Sequence, residues 1–339
     1  MMNLTSFDER ELEAVLSQPS SETRDTISRL TGDIVVLGAG GKMGPTLAMM
    51  LHQAAPEKTV FAVSRFSDQA VKDRLDQAGV TTIAAELLDA SQHRSLPQVE
   101  NVYYLAGMKF GASGNQPMTW ALNSYLPGRM AEIYREARLV VLSTGNVYPF
   151  VNPAHGGAQE SDSPDPCGEY AQSCLGRERV CQYFSQENQT PMTIVRLNYA
   201  NEPRYGIIVD LSFKIMQNVP IDLSMAAVNL IWQRDANDYI ARAITLAQSP
   251  ARILNVTGPE ILKVRDLAAQ IGELLGKSPQ FTCEEGTACL LSDASKCFDQ
   301  LGHPATSLDE MIATIVPWIA SGKPVLNKPT KYEVRDGKF

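Results

Sequence analysis

Apolar and polar positions alternate in blocks along this chain. Short apolar runs that read as buried strands fall at 33–37, 59–63, 80–84, 101–105, 138–143 and 192–197. Between them, apolar residues recur at helical spacing over 44–54, 67–78, 118–136 and 168–186. Strands alternating with helices of this length predict a parallel sheet covered on both faces. After Asn198 the pattern loosens, with helices expected at 207–217, 235–247, 263–275 and 307–320 and short strands near 229–232 and 252–256. Ahead of the first strand, 7–30 reads as two short helices with Ser6 and Ser21 as N-caps. The segment from Lys323 to Phe339 is polar with two prolines and is expected to run over the surface.

The first strand stops at a glycine cluster, IVVLGAGGKMG over 34–44, which leads straight into a helical pattern. Strand, glycine turn and helix place a pyrophosphate on a helix N-terminus. Gly38, Gly41 and Gly44, with Lys42 and Met43 between them, form the expected cofactor loop. At the end of the second strand, where an acid would bind a ribose 2′-hydroxyl, stand Ser64 and Arg65. A hydroxyl and a guanidinium suit a 2′-phosphate better, so NADP(H) is favoured over NAD(H). Glu86 and Leu87 follow the third strand, and Glu86 reads equally as a partner of the adenine amine or as a surface acid. Ala106 and Gly107 end the fourth strand and would let backbone pass close to a cofactor. Lys109, Ser143 and Thr144 fall at the C-terminal ends of strands, where open α/β sheets bind ligands.

Composition narrows the partners. The chain has 339 residues, 44% hydrophobic and 20% charged, with net charge −8. That balance argues against nucleic acid or an anionic membrane as partner. No apolar stretch approaches the ~20 residues needed to span a bilayer. The first residues carry acids early and do not read as a signal peptide. Six cysteines at 167, 174, 181, 283, 289 and 297 form no CxxC pair, and four scattered histidines give no metal spacing. Reduced thiols in a cytoplasm are the expectation.

Later motifs complete a resemblance. STGNVYP over 143–149 is similar to the strand-five motif S-[ST]-x-x-V-Y-G of the extended short-chain dehydrogenase/reductases, in their NAD-dependent epimerase/dehydratase group. GAGGKMG matches that group's GxxGxxG, and Asn123 matches its helix asparagine. VNLIWQRDANDYIARAI, ILNVTGPEILKVRDLAAQIGELLGK and DASKCFDQLGH also resemble family segments, in the family's order, so that the likeness spans about 32–320. It implies a doubly wound Rossmann domain over 32–200 and a smaller substrate domain over 201–322. Residues 1–31 would form a helical extension, 323–339 a surface tail, and 229–247 would return to the Rossmann part. It also implies a small-molecule, sugar-like substrate, and a homodimer through the helices 118–136 and 168–186.

The family's catalytic helix reads YxxxK. Here Tyr170 stands in the tyrosine place and Cys174 in the lysine place. A phenol near its ordinary pKa of about 10 is a poor base at neutral pH, and a thiol supplies no positive charge. Three readings follow. Lys109 or Arg177 replaces the lysine, with Thr144 bonding the reacting oxygen and Tyr170 moving the proton. Alternatively, Tyr170 acts only as an acid or hydrogen-bond donor. In the third, the chain binds a cofactor without turnover, as a sensor or scaffold. Cys174 itself reads as a packing residue, having no base nearby in sequence. Asn198 and Arg204 follow strand six, where the family's substrate domain begins; Arg204 reads equally as the partner of a substrate anion or as a solvated charge.

Overall fold

The computed structural model describes residues 7–109 and 114–338. Seven parallel strands form its sheet: β1 (Ile34–Leu37), β2 (Val60–Ser64), β3 (Thr81–Ala84), β4 (Asn101–Tyr104), β5 (Arg138–Thr144), β6 (Met192–Leu197) and β7 (Arg252–Val256). Their spatial order is β7-β6-β5-β4-β1-β2-β3. The order reverses beside β1, which opens a crevice above its C-terminal end. All four residues of β1 are buried. The fragment 252–256, expected among irregular late elements, is the edge strand paired with β6.

Among the described residues, twelve α-helices surround the sheet: α1 (Glu9–Leu16), α2 (Ser21–Ser28), α3 (Gly44–Ala54), α4 (Gln69–Gln77), α5 (Gln116–Trp120), α6 (Leu126–Ile133), α7 (Gly168–Asn188), α8 (Ile207–Met216), α9 (Gln233–Arg242), α10 (Val264–Leu275), α11 (Ser295–Leu301) and α12 (Leu308–Ala320). α11 has no counterpart in the expected pattern. Alternate strand residues split the core. Ile34, Val36, Ala62 and Val195 pack with α3 and α9 on one face. Val35, Leu37, Val102 and Ile194 pack with α6 on the other. A third cluster joins α8, α10 and α12 to Leu12 and Leu16 of α1. No helix among the described residues is long and apolar enough to cross a membrane.

Local chemistry moves several expected boundaries. The cap of α2 is Ser20, not Ser21, its hydroxyl accepting from the Thr23 N–H. α1 is capped by Asp8 in a reciprocal box with Glu11; Ser6 lies outside the described residues. The helix expected over 118–136 is three pieces, with a π-helical turn at Ala121–Tyr125 between α5 and α6. Pro127 has no N–H to return to the Asn123 carbonyl. The Nε of Arg177 donates to that carbonyl instead, at 3.2 Å. Most of the segment 323–338 is exposed or half-buried, but it is anchored at two points: Thr330 and Tyr332 are each only 1% exposed.

α7 is fixed to the sheet by charge. Glu178 and Arg196 form a buried pair at 2.6 Å. Ser143 Oγ donates to the same carboxylate at 2.6 Å, and the guanidinium lies 4.5 Å from the Tyr148 ring centroid. Removing one partner strands a buried charge. Glu178→Ala is expected to lower unfolding stability by about 3–5 kcal/mol, read from urea denaturation; a loss below about 1 kcal/mol would contradict the role given to this pair.

Candidate active site

A cleft of about 720 Å³ opens along the C-terminal ends of the strands. The turn after β1 builds its floor. Gly38 adopts φ +86°, and a Cβ there would lie 2.5 Å from the Ala106 nitrogen, so β1 and the end of β4 meet backbone to backbone. At Gly44 a Cβ would lie 2.5 Å from the Ala39 carbonyl oxygen, which closes the turn tightly onto α3. At Gly41 the nearest atom would be 3.5 Å away, leaving that position facing the open cleft. Met43 also lines the floor. These features match a pyrophosphate cradle: bare backbone, small residues and a helix N-terminus.

Ser64, Arg65, Glu86 and Leu87 line one end of the cleft. Arg65 is 69% exposed and stands 3.7 Å from the Glu86 carboxylate. Ala106, Gly107 and Lys109 form the middle. The space left by the missing side chain of Gly107 is occupied by Arg177, whose Nη2 would lie 2.5 Å from a Cβ.

Thr144, Tyr170 and Lys109 line the same cleft. β5 delivers Thr144 and the first turn of α7 delivers Tyr170; their side chains are hydrogen-bonded. Burial pushes the Tyr170 phenol well above its ordinary range, the neighbouring thiol of Cys174 adds to this, and Arg177 opposes it. Tyr170 is therefore a neutral hydroxyl near pH 7. Burial pushes Lys109 down to about 8, against the pull of Asp210 and Cys174. Burial likewise pushes Lys42 down to about 7, against Glu202 and with help from Lys109 and Arg204. The Lys42 Nζ donates to the Ala200 carbonyl at 2.6 Å and lies 3.9 Å from the Tyr205 ring centroid.

Residues 34–201 match the sequence profile of the NAD dependent epimerase/dehydratase family. This part of the chain is similar to that family. No curated protein sequence matches the chain. Solved structures share its fold. MoeE5, in complex with UDP-glucose and NAD, is 20% identical over 86% of this chain and 99% of its own, with a TM-score of 0.71. UDP-glucuronic acid 4-epimerase from Bacillus cereus, in complex with NAD, is 18% identical over 85% of this chain and 99% of its own, with a TM-score of 0.72. UDP-glucose 4-epimerase from Thermus thermophilus, in complex with NAD, is 18% identical over 85% and 99%, with a TM-score of 0.70. The expected preference for NADP(H) finds no support among these three, each a complex with NAD.

Within this epimerase/dehydratase frame, several expected residues stand elsewhere. Asn123 is fully buried beneath the cleft. Its amide accepts from the Met108 N–H at 2.7 Å and donates to the Met108 carbonyl at 2.9 Å, so it holds the loop that carries Lys109. Arg204 is not among the residues lining the cleft and is not a solvated charge: its buried guanidinium pairs with Glu202 at 3.2 Å and Glu13 at 3.1 Å, joining α1 to the segment after β6. Arg177 is spent on the Asn123 and Leu142 carbonyls and the Asn123 amide oxygen, so it braces the site from below. Cys174 is fully buried among Val147, Tyr148 and Ala158. Asn198 does line the cleft, with an Nδ2 that finds no partner among the described residues. Lys328 and Thr330, from the supposed tail, line it too. No local motif marks them; only the path of the chain brings them there.

The glycine geometry separates two roles. Gly44→Ala is expected to lower the melting temperature, since its methyl meets fixed backbone. Gly41→Ala is expected to leave it unchanged while weakening NADH binding at least tenfold, measured by NADH fluorescence.

Proposed function

We propose that this chain is an NAD-dependent oxidoreductase, epimerase or dehydratase of a hydroxylated sugar, of the kind carried on a nucleotide in its structural neighbours. Residues 32–200 hold the cofactor, and 201–322 supply most of the substrate side. The observation that carries this reading is the convergence of Thr144, Tyr170 and Lys109 on the cleft that the glycine turn floors. Bound there, a nicotinamide supplies the hydride acceptor and donor. Glu86 partly matches the charge of Arg65, which favours a ribose hydroxyl over a 2′-phosphate at that end and so NAD over NADP.

The side chains divide the proton work by their environments. Thr144 and Tyr170 hydrogen-bond the reacting oxygen, and Tyr170 stays protonated as donor. Cys174 is pushed away from neutrality; of the two cleft lysines pulled towards it, Lys42 lies in the glycine turn on the Ala200 carbonyl, and the proton work is assigned to Lys109. Lys109 takes the proton in the oxidising direction through its neutral amine. That fraction grows as pH rises through about 8, so oxidation should speed up over the same interval and reduction should slow. Asn198 offers its unpaired amide to a substrate oxygen.

A screen of nucleotide sugars, sugars and sugar acids with NAD tests the reading. Tyr170→Phe and Lys109→Met are each expected to lose at least 100-fold in turnover while binding NADH as the parent does. Hydride transfer undiminished in both would refute it, and NADH binding with no transfer to any of these substrates would favour a sensor.

We also propose a homodimer through α5, α6 and α7. Trp120, Tyr125, Gly128, Val180 and Phe184 form an apolar groove there, with Tyr183 exposed alongside. Tyr125→Asp is expected to halve the mass measured by light scattering; a monomeric parent chain would dismiss this assembly.

A further inference from the structure

We propose that Asp210 and Thr330 form a positioning pair for Lys109, which makes the segment 323–338 part of the reaction centre. This rests on the role given above to Lys109. Asp210 stands in the first turn of α8. Its Oδ2 accepts from the Thr330 N–H at 2.8 Å and from the Thr330 hydroxyl at 2.6 Å. Two bonds to one carboxylate oxygen fix both the backbone and the side chain of Thr330. The Thr330 carbonyl in turn accepts from Lys109 Nζ at 3.3 Å. A lysine side chain on a flexible four-carbon stem gains a defined position only when both ends are held. Asn123 holds the backbone end through Met108. Thr330 holds the ammonium end.

The segment is itself clamped on both sides of Thr330. The Leu326 N–H donates to the Arg204 carbonyl at 3.0 Å. Beyond it, Lys214 pairs with Glu333 at 2.7 Å. Arg335 Nη1 donates to the Ser224 carbonyl at 2.9 Å and the Ala288 carbonyl at 2.6 Å. These anchors sit on the late, substrate-side elements, so the segment reaches the cleft as a wall and not as a loose end. Charged and titratable groups reach Lys109 from every side: Asp210 of α8, Cys174 of α7, Lys331 of the segment and Lys42 of the glycine turn. Among them, Asp210 is the carboxylate whose charge favours the ammonium form, and Thr330, bonded to both, fixes the one relative to the other. Burial has the opposite effect.

Trace acetylation of the full chain with acetic anhydride over a range of pH, quantified on lysine peptides by mass spectrometry, reads out this arrangement without a substrate. Exposed Lys263 serves as internal reference. Asp210→Asn removes the carboxylate and is expected to move the Lys109 labelling midpoint to lower pH, with Lys263 unchanged. Thr330→Val removes the hydroxyl tie and is expected to raise Lys109 labelling at a given pH; Thr330→Ser should restore the parent profile. If Asp210→Asn and Thr330→Val both label Lys109 as the parent does, the proposal is wrong. It is equally wrong if Thr330→Ser behaves like Thr330→Val. Should one substitution prevent folding, judged by circular dichroism, the other decides. Lys109→Met separates the two levels of the argument. Turnover that survives it removes the catalytic role of Lys109 but leaves the labelling result standing; loss of turnover with unmoved labelling does the reverse.

Discussion

The position of Tyr170 depends on a charge pair that never meets the cleft. Glu178 and Arg196 are buried together between α7 and the sheet. In a low-dielectric interior neither can let go of the other without an uncompensated charge. The pair therefore sets the height and rotation of α7 against β5 and β6. Ser143, bonded to the same carboxylate, ties in the strand residue next to Thr144. Thr144 and Tyr170 meet because their neighbours are held, and Arg177 on the same helix reaches under Gly107 to brace the loop after β4. One buried network thus aligns three elements that line the cleft.

How much of this was legible in the sequence differs by element. The inner strands announced themselves because parallel strands buried on both faces are continuous apolar runs; β3, at the edge, has no fully buried residue. β6 was bounded to the residue, and the others to within a residue at either end. The glycine turn was legible because its spacing reflects a local steric demand. Residues whose partners lie far along the chain were opaque. Arg204 looks like a free cation until Glu13 is folded against it, 191 positions earlier. Asn123 stands out in the sequence by resemblance alone, and its hold on the Met108 loop shows only when Met108 and Arg177 surround it. The break in the helix through 118–136 had a local sign, Pro127, whose meaning depends on a guanidinium from α7.

The electrostatics of the site sharpen the three readings left open by Cys174. A thiol in that place does not merely fail to help the phenol; buried beside it, it pushes the phenol further from ionisation. Tyr170 is left as a donor. Two lysines among the described residues are tuned towards neutrality, Lys109 on the loop after β4 and Lys42 in the glycine turn, and in both the tuning comes chiefly from burial. The cleft thus holds a neutral phenol and lysines pulled towards neutrality, set apart by their surroundings.

The two ends of the described chain share one core. Leu12 and Leu16 of α1 pack in the same cluster as Ile315, Trp318 and Tyr332, and Lys323 Nζ donates to the Phe7 carbonyl across 316 positions. Such contacts carry a large loop-closure entropy and form late. During synthesis the apolar face of α1 leaves the ribosome before α8, α10 and α12, the partners of its cluster, and is not fully covered until the last of them emerges. For that interval the nascent chain exposes a hydrophobic surface of the kind chaperones bind.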